Sequence, residues 1–380
     1  MGADISLHVA STSVEFESLA PQWGELAAAC RTTGPFMEWP WLFHWWRNYG
    51  DGSRLQVMTV AKAGRLIGAL PMYVRSERVM RFAPVRILRV VGEGGDTTFD
   101  YLEPLLHSEF EEEAQSGLQR LLSDVSRAAD VIALPEWRKG SPVDKAFQAP
   151  VGWRQVRELP ARILQLELPA SWDSYMSGVS RNRRYMIRST RRKLDEAGAT
   201  FFTNSSPEEL PRVFERLSEL HHLRWAEKGE AHAFSSAPYI NLHRAMAEHL
   251  LQAGQLRMHG ITIGGATVAM LYCFRHRDAV YHFQGGFDPA YAHLRPGFAL
   301  YGYAIEHAIG EGAVVFDMLA GEHEYKERWA SGAVELRSRE LARGNIGGRI
   351  YSLRFHRLSA LKHWLVAAAA AAAAALSIDP

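Results

Sequence analysis

The chain has 380 residues, and the stretch with the densest chemical potential runs from Tyr281 to Leu300. Tyr281-His282-Phe283 leads into Gln284, the pair Gly285-Gly286 and Phe287-Asp288-Pro289, and Leu294-Arg295-Pro296-Gly297-Phe298 follows. The pattern predicts a strand over 279–284, a loop over 285–295 and a helix over 296–310. Proline suits a first helical turn because its missing N–H would have no intrahelical partner. Gly297 lets a ligand approach the backbone closely. The N–H groups and positive dipole end of such a helix bind pyrophosphate, and Arg295 sets a fixed positive charge beside it. An ordinary strand–loop–helix joint has the same spacing, so the local pattern leaves both readings open.

Other side chains of chemical interest cluster at three places. Asp317 lies in a predicted buried strand, 314–319, and Glu322, His323, Glu324, Tyr325 and Lys326 come just after it. These could do acid–base work, or Asp317 and Lys326 could form a structural ion pair. Arg181, Arg184, Arg188 and Arg192 recur at spacings of three and four, which puts them on one face of a helix. No acid occurs between Tyr175 and Asp195, so the stripe is expected to be one-signed, a clamp for phosphates or an anionic saccharide, or else a solvated face. His221, Arg224 and Trp225 share the next helix and are candidates to line an acceptor pocket. With no cysteine-rich cluster nearby, His221-His222 reads as polar rather than metal-binding, and no metal is expected. Gly92-Glu93-Gly94-Gly95 lacks the strand–helix context of a dinucleotide site. No Gly-x-Ser-x-Gly elbow or phosphate-binding P-loop occurs.

The elements that must position these groups read as α+β. In the first half, 14–30 is helical. Trp39, Trp41, Trp45 and Trp46 crowd eight residues and read as core or interface anchors, with stacking on a ligand as the sharper alternative. A hairpin over 55–61 and 66–74 turns at Gly64. A strand over 85–91, a helix over 110–129 and a strand over 131–134 ending at Pro135 complete that half. In the second half, strands are expected over 163–168, 199–203, 256–263, 267–275 and 279–284, and helices over 171–193, 210–228 and 239–253. The two halves repeat one order of elements, which suggests a structural duplication and domains at 1–160 and 161–350, with a helix and alanine-rich tail at 351–380.

Composition narrows the class. Lys plus Arg number 43 against 42 Asp plus Glu, so net charge points to no polyanionic partner. Cys30 and Cys273 stand far apart, which is no disulfide framework and fits a reducing, cytoplasmic setting. Residues 1–10 lack a signal-peptide pattern, and no segment has the length of a membrane helix.

Resemblance sharpens the reading. Residues 172–329 resemble the GNAT-like acyltransferase domain of the cellulose-biosynthesis (CelD-like) acetyltransferases, which are similar to the tandem-GNAT Fem-type peptidyltransferases. The matching pieces are Ser180-Arg181-Asn182-Arg183-Arg184 through Arg188 and Leu194, Leu220-His221 with Arg224-Trp225, Gly285 to Pro289, Arg295-Pro296-Gly297, Phe316-Asp317, Gly321-Glu322 and Tyr325-Lys326. Pro40-Trp41, Gly68-Ala69-Leu70-Pro71 and Asp100-Tyr101 tie the first half to the partner domain of those proteins. The resemblance implies tandem GNAT-like domains, with mixed, mostly antiparallel sheets flanked by helices. It implies acetyl-CoA or another acyl-CoA as co-substrate, with no metal, held by Gln284, Gly285, Gly286 and Leu294 to Phe298. The pantetheine arm would lie in a slot between strands, with N–H groups near Gln284–Gly286 as oxyanion donors. Glu322 or Asp317 would be the base, Tyr325 the acid to the leaving thiolate, and Lys326 the holder of an anionic group. The acceptor would be a sugar, a polysaccharide precursor or a small polar molecule, met by Arg181, Arg184, Arg188, His221, Arg224 and Trp225. The phosphate loop departs from the GNAT pattern: Arg295-Pro296-Gly297-Phe298-Ala299 keeps one basic residue, one glycine and one small residue. Aminoacyl transfer from tRNA, disfavoured by the near-neutral charge, and a non-catalytic envelope scaffold stay as alternatives.

Overall fold

A computed structural model describes residues 5–79, 83–146, 149–226, 233–321 and 324–354. The first half supplies β1 (Ile5–Ala10), α1 (Ser13–Ser18), α2 (Ala20–Ala29), α3 (Trp39–Tyr49), β2 (Ser53–Lys62), β3 (Arg65–Val79), β4 (Ala83–Val90), β5 (Leu105–Leu106), α4 (Glu111–Val125), β6 (Val131–Arg138), α5 (Pro142–Ala146) and β7 (Trp153–Glu167). The second half supplies α6 (Trp172–Gly178), α7 (Arg181–Glu196), β8 (Thr200–Asn204), α8 (Leu210–Ala226), α9 (Ala237–Gln252), β9 (Leu256–Ile263), β10 (Ala266–His276), β11 (Ala279–Phe287), α10 (Pro296–Gly310), β12 (Val315–Asp317), α11 (Glu324–Glu327) and β13 (Gly332–Arg343).

All thirteen strands join one sheet, in the order β1-β2-β3-β4-β6-β13-β7-β12-β11-β10-β9-β8, with β5 attached to β3. The order is palindromic. The run β1-β2-β3-β4-β6 of the first half mirrors β8-β9-β10-β11-β12 of the second, and each run contains one parallel pair, β4 with β6 and β11 with β12. The last strand of each half crosses to the other: β7 pairs with β12, and β13 pairs with β6. β7 and β13 then pair with each other from Gly332↔Gln165 to Arg343↔Trp153. The border between halves, read at 160/161, falls within β7.

Local chemistry explains most elements. The β2–β3 turn has Ala63 at φ 50° and Gly64 at φ 80°; two positive φ values give the turn whose twist matches a hairpin. The expected helix over 171–193 is two helices. Val179 and Ser180 are extended, and the Ser180 hydroxyl accepts from the Arg183 N–H at 3.3 Å, capping α7. Pro135 does not end β6. It sits where the register with β13 slips between Arg337 and Arg339, and an irregular ladder tolerates proline. β13 itself lies outside the periodicity reading.

The two halves share a core. Trp23 and Trp45 are fully buried. Phe36 meets Phe274 edge-on at 6.4 Å, and Trp41 meets Phe283 at 5.5 Å, across the seam. The tryptophan cluster is thus an interface anchor, and each such ring buries apolar area of about 150–250 Å². Polar clasps fix the seam. Asp96, at the end of the Gly92–Gly95 loop, accepts from Tyr49 and from Ser236, the N-cap of α9, both at 2.5 Å. Arg277 donates to the Ala27 carbonyl at 2.8 Å, placing a cation at the C-terminal end of α2. No helix among the described residues is long and apolar enough to cross a membrane.

Candidate active site

The wedge in the second half follows from strand lengths. β11 and β12 pair over only three positions, Ala279↔Val315, Val280↔Phe316 and Tyr281↔Asp317. β12 then stops, while β11 runs on to Phe287, still paired with β10. Tyr272 pairs with Gln284 and Cys273 with His282, so Phe283 is an extra residue in β11. Such a bulge takes a backbone group off the ladder and sharpens the strand's twist, here at the apex of the wedge.

Gly285 and Gly286 were expected to end this strand, yet both lie inside it. Their small size is used sideways. A Cβ on Gly286 would overlap the backbone of Leu220 and His221, and one on Gly285 would come within 2.5 Å of the Leu271 side chain. α8 therefore lies against β11 backbone to backbone, which puts His221 Nε2 3.1 Å from Gln284 Oε1. Gln284 Nε2 donates in turn to Tyr239 Oη at 3.3 Å.

On the other face of the sheet, the wedge opens into a cavity of about 150 Å³ bounded by Gly285–Phe287, Gly297, Phe298, Tyr301 and Tyr325. Its helical wall starts at Arg295, whose backbone is left-handed at φ 54°. The N–H groups of Phe298 and Ala299 turn back to the Arg295 carbonyl at 3.1 and 3.2 Å. Pro296 has no N–H, so Gly297 supplies the first helical donor. The Arg295 guanidinium reaches Met186 Sδ on α7 at 3.6 Å, and Leu294 packs into the α10 core. A larger groove, about 440 Å³, adjoins this cavity; it shares Phe298 and Trp329 and is walled by Trp172, Arg188, Arg191 and Arg192. The arginine stripe is not one-signed throughout: Arg191 pairs with Asp195 at 3.3 Å and Arg192 with Glu196 at 3.8 Å. Arg184 donates to the Val179 carbonyl at 3.2 Å, and Arg181 is exposed on the first turn of α7.

The acid–base candidates divide sharply. Asp317, 1% exposed, accepts from Tyr101 Oη at 2.6 Å, Gln165 Nε2 at 2.6 Å and Leu319 N–H at 2.8 Å. Its oxygens are engaged by three structural donors, so it serves as a junction of β12, β7 and the 100–101 segment rather than an open base. Lys326 makes no hydrogen bond to it. The ammonium donates to the Leu319 and Ala320 carbonyls at 3.2 and 2.7 Å. Burial lowers its pKa to about 8, against the upward pull of Asp100 and Asp317. Tyr325 faces the cavity with its phenol held high by burial and drawn back down by Arg224. Glu322 lies outside the described residues, as does the Trp225 side chain, although position 225 belongs to α8.

Sequence reasoning missed several participants. Tyr301 Oη lies 2.6 Å from His282 Nδ1 on the cavity's inner wall. Tyr101 and Leu319, two bulky residues, take positive φ values of 59° and 51° where the halves meet. Backbone strain of this kind costs roughly 1–3 kcal/mol per residue and concentrates at functional sites. The Asp100-Tyr101 pair was visible as a motif; its meeting with Asp317 depends on a contact 216 residues long in sequence.

Asp100 gives a pH signature. Burial pushes its carboxyl up to about 6, the Ala320 N–H holds it down, Asp317 raises it and Lys326 lowers it. A carboxyl raised on folding contributes stability below its unfolded pKa and loses it as pH rises through the folded value. Asp100→Asn is therefore expected to flatten the fall in stability between about pH 4 and 6. Urea midpoints of wild type and variant across that range check this, and parallel curves would rule the assignment out.

Residues 181–327 match the family model for an acetyltransferase (GNAT) domain. No curated protein matches the chain. Among solved structures, the fold is similar to FemX at 10% identity, with TM-score 0.60 over 88% of this chain and 96% of the other. It is also similar to the C-terminal domain of a putative lysylphosphatidylglycerol synthetase from Agrobacterium fabrum, at 12% identity and TM-score 0.52, over 90% and 95% of the two chains. A conserved protein of unknown function from Bacteroides thetaiotaomicron matches at 8% identity and TM-score 0.56, over 88% and 100%. The sheet is mixed and mostly antiparallel, flanked by helices, and with the GNAT match it supports an acyltransferase.

Proposed function

We propose that the chain is an acyl-CoA-dependent N- or O-acyltransferase, similar to the CelD-like enzymes, that modifies a sugar, a polysaccharide precursor or a small polar acceptor in the cytoplasm. The observation that carries this reading is the wedge between β11 and β12, with a bulge at its apex and the start of α10 at its mouth. Its residues fit an acyl thioester. The wall is mostly glycine, apolar and aromatic, with Arg224 and Arg328 among it, and the adjoining groove offers arginines to phosphates. Bound acyl-CoA would supply the activated acyl group.

The chain's own residues then have defined tasks. The β11 backbone at the bulge presents N–H donors to the carbonyl oxygen as charge develops there. Tyr325 holds a proton for the leaving sulfur. Gly297 and the Arg188–Arg191 wall orient the carrier, and the His221–Gln284–Tyr239 chain keeps the apex rigid. Asp317 and Lys326 hold the strand ends.

Titration calorimetry with acetyl-CoA tests the reading directly, and absence of binding to folded protein would end it. Where binding is seen, Tyr325→Phe is expected to slow thiol release about 100-fold while acetyl-CoA affinity stays within a few-fold. An unchanged release rate would remove Tyr325 from the chemistry. Binding of charged tRNA in place of acetyl-CoA would support aminoacyl transfer, and binding without turnover a scaffold.

A further inference from the structure

α7 carries six arginines between Arg181 and Arg192, and its first acid is Asp195. Arg181, Arg183 and Arg184 all stand in its first turn, where the helix dipole is already positive, and that turn holds no acidic residue. Cations at this end work against the helix, and an anionic partner arriving there relieves the conflict. Arg181, Tyr185, Arg188 and Arg192 follow at steps of four, three and four residues and form one exposed stripe, with Tyr185 70% exposed. The Arg192–Glu196 pair at 3.8 Å is itself exposed, and such surface pairs hold little energy. Tyrosine and arginine are the residue types in which binding hot spots are rich.

The stripe borders the entrance to the wedge. Met186 of α7 meets Arg295 at the start of α10, and Arg188 and Arg192 wall the groove that adjoins the acyl cavity at Phe298 and Trp329. This entrance is poorly equipped for a pyrophosphate. A helix start ordinarily leaves four N–H groups open. Here the Arg295 N–H donates to the Ala292 carbonyl at 3.0 Å, Pro296 has no N–H, and the Phe298 N–H turns to the Arg295 carbonyl at 3.1 Å. Of the four, the Gly297 N–H remains. One donor suits a single phosphodiester better than the two phosphates of a pyrophosphate.

We propose that α7 docks a second form of the acyl donor, a small acidic carrier protein that presents the thioester on a phosphopantetheine arm. The proposal rests on the acyltransferase reading and widens its donor class. Acyl-CoA and such a carrier share the pantetheine arm, so both fit the wedge. The arm joins its protein through one phosphate, which matches the Gly297 N–H, and the acidic body of the carrier matches the arginine stripe. The chemistry is unchanged. The acceptor nitrogen or oxygen bonds to the acyl carbon, the C–S bond breaks, and the proton lost by the acceptor balances the one gained by the sulfur.

The test compares wild type with the double variant Asn182→Glu/Tyr185→Glu. Both positions are exposed on α7 and line neither the acyl cavity nor the groove. Each protein is titrated calorimetrically with acetyl-CoA, with an acetylated acyl carrier protein and with tRNA. Wild type is expected to bind the acetylated carrier saturably. The double variant should bind it at least tenfold more weakly, while its acetyl-CoA affinity stays within a few-fold and so reports an intact fold. Three results overturn the proposal alone: wild type that binds acetyl-CoA but not the acetylated carrier, carrier binding that the two substitutions leave unchanged, or tRNA bound in the carrier's place and lost in the double variant. The last would favour aminoacyl transfer. Binding of the acetylated carrier without acetyl-CoA would uphold the docking face and remove CoA as the donor. Failure of folded wild type to bind either thioester overturns the acyl-CoA reading together with the proposal.

Discussion

Replacing Asp317 with alanine is expected to destabilise the protein by about 3 kcal/mol or more, since one carboxylate satisfies three buried donors. The loss falls on both halves at once, because Tyr101 comes from the loop before β5, Gln165 from β7 and Leu319 from the turn after β12. Two of those donors adjoin or include residues with left-handed backbones, Tyr101 and Leu319, and the hydrogen bonds help to hold that strain. Asp317→Asn keeps an accepting oxygen and should recover part of the stability. Urea unfolding of the two variants checks this, and an alanine variant within 1 kcal/mol of wild type would show that the junction is dispensable. Weakened acetyl-CoA binding should follow the stability loss, since Asp317 closes the last pair of the wedge.

The second large effect is expected at Gly286. Its φ lies outside the left-handed region, so no backbone strain is involved; the cost of Gly286→Ala is steric. The added methyl would enter the α8 backbone at Leu220 and His221, which are main-chain atoms with no rotamer to yield. Overpacking of this kind costs about 1–3 kcal/mol, occasionally more. Functionally, it should push α8 away from β11, lengthen the His221–Gln284 contact and move Arg224 out of the wedge. We expect the thermal midpoint to fall and acetyl-CoA affinity to drop at least tenfold. Gly297→Ala offers the contrast: its Cβ would meet the Phe287 ring at ordinary contact distance, 3.5 Å, and its fold should be unaffected. Equal melting curves for Gly286→Ala and wild type would refute the close-approach account.

How much of this was legible depended on how local the information was. α10 over 296–310 and β9 over 256–263 follow directly from proline placement and apolar alternation. The α7 cap is legible at Ser180, but the helical periodicity that continues through 179–180 masks the break. β13 was hidden by its charges. Arg339 pairs with Glu158 at 3.1 Å, and Glu340 with Arg157 at 3.7 Å, at registers where the two strands face each other. Cross-strand ion pairs there replace the apolar alternation that marks a strand. The candidate site was legible as a set of motifs but not as a geometry. Asp317 reads as a base because two of its three donors, Tyr101 and Gln165, come from distant segments, and Arg224 gives no sign in sequence that it would reach the cavity.

The exchange of β7 and β13 has a consequence for synthesis on the ribosome. The partner that covers the β6 edge begins at Gly332, about 190 residues after β6 ends. At roughly 5–20 residues per second, that edge waits roughly 10–40 s for its neighbour. During that interval the nascent first half has an open strand edge, a template for pairing with other chains. Charged Arg138 and Lys139 at its end, and the bulge around Pro135, are features that discourage such pairing. The first half thus matures only after the elements of the second half up to β13 have been made.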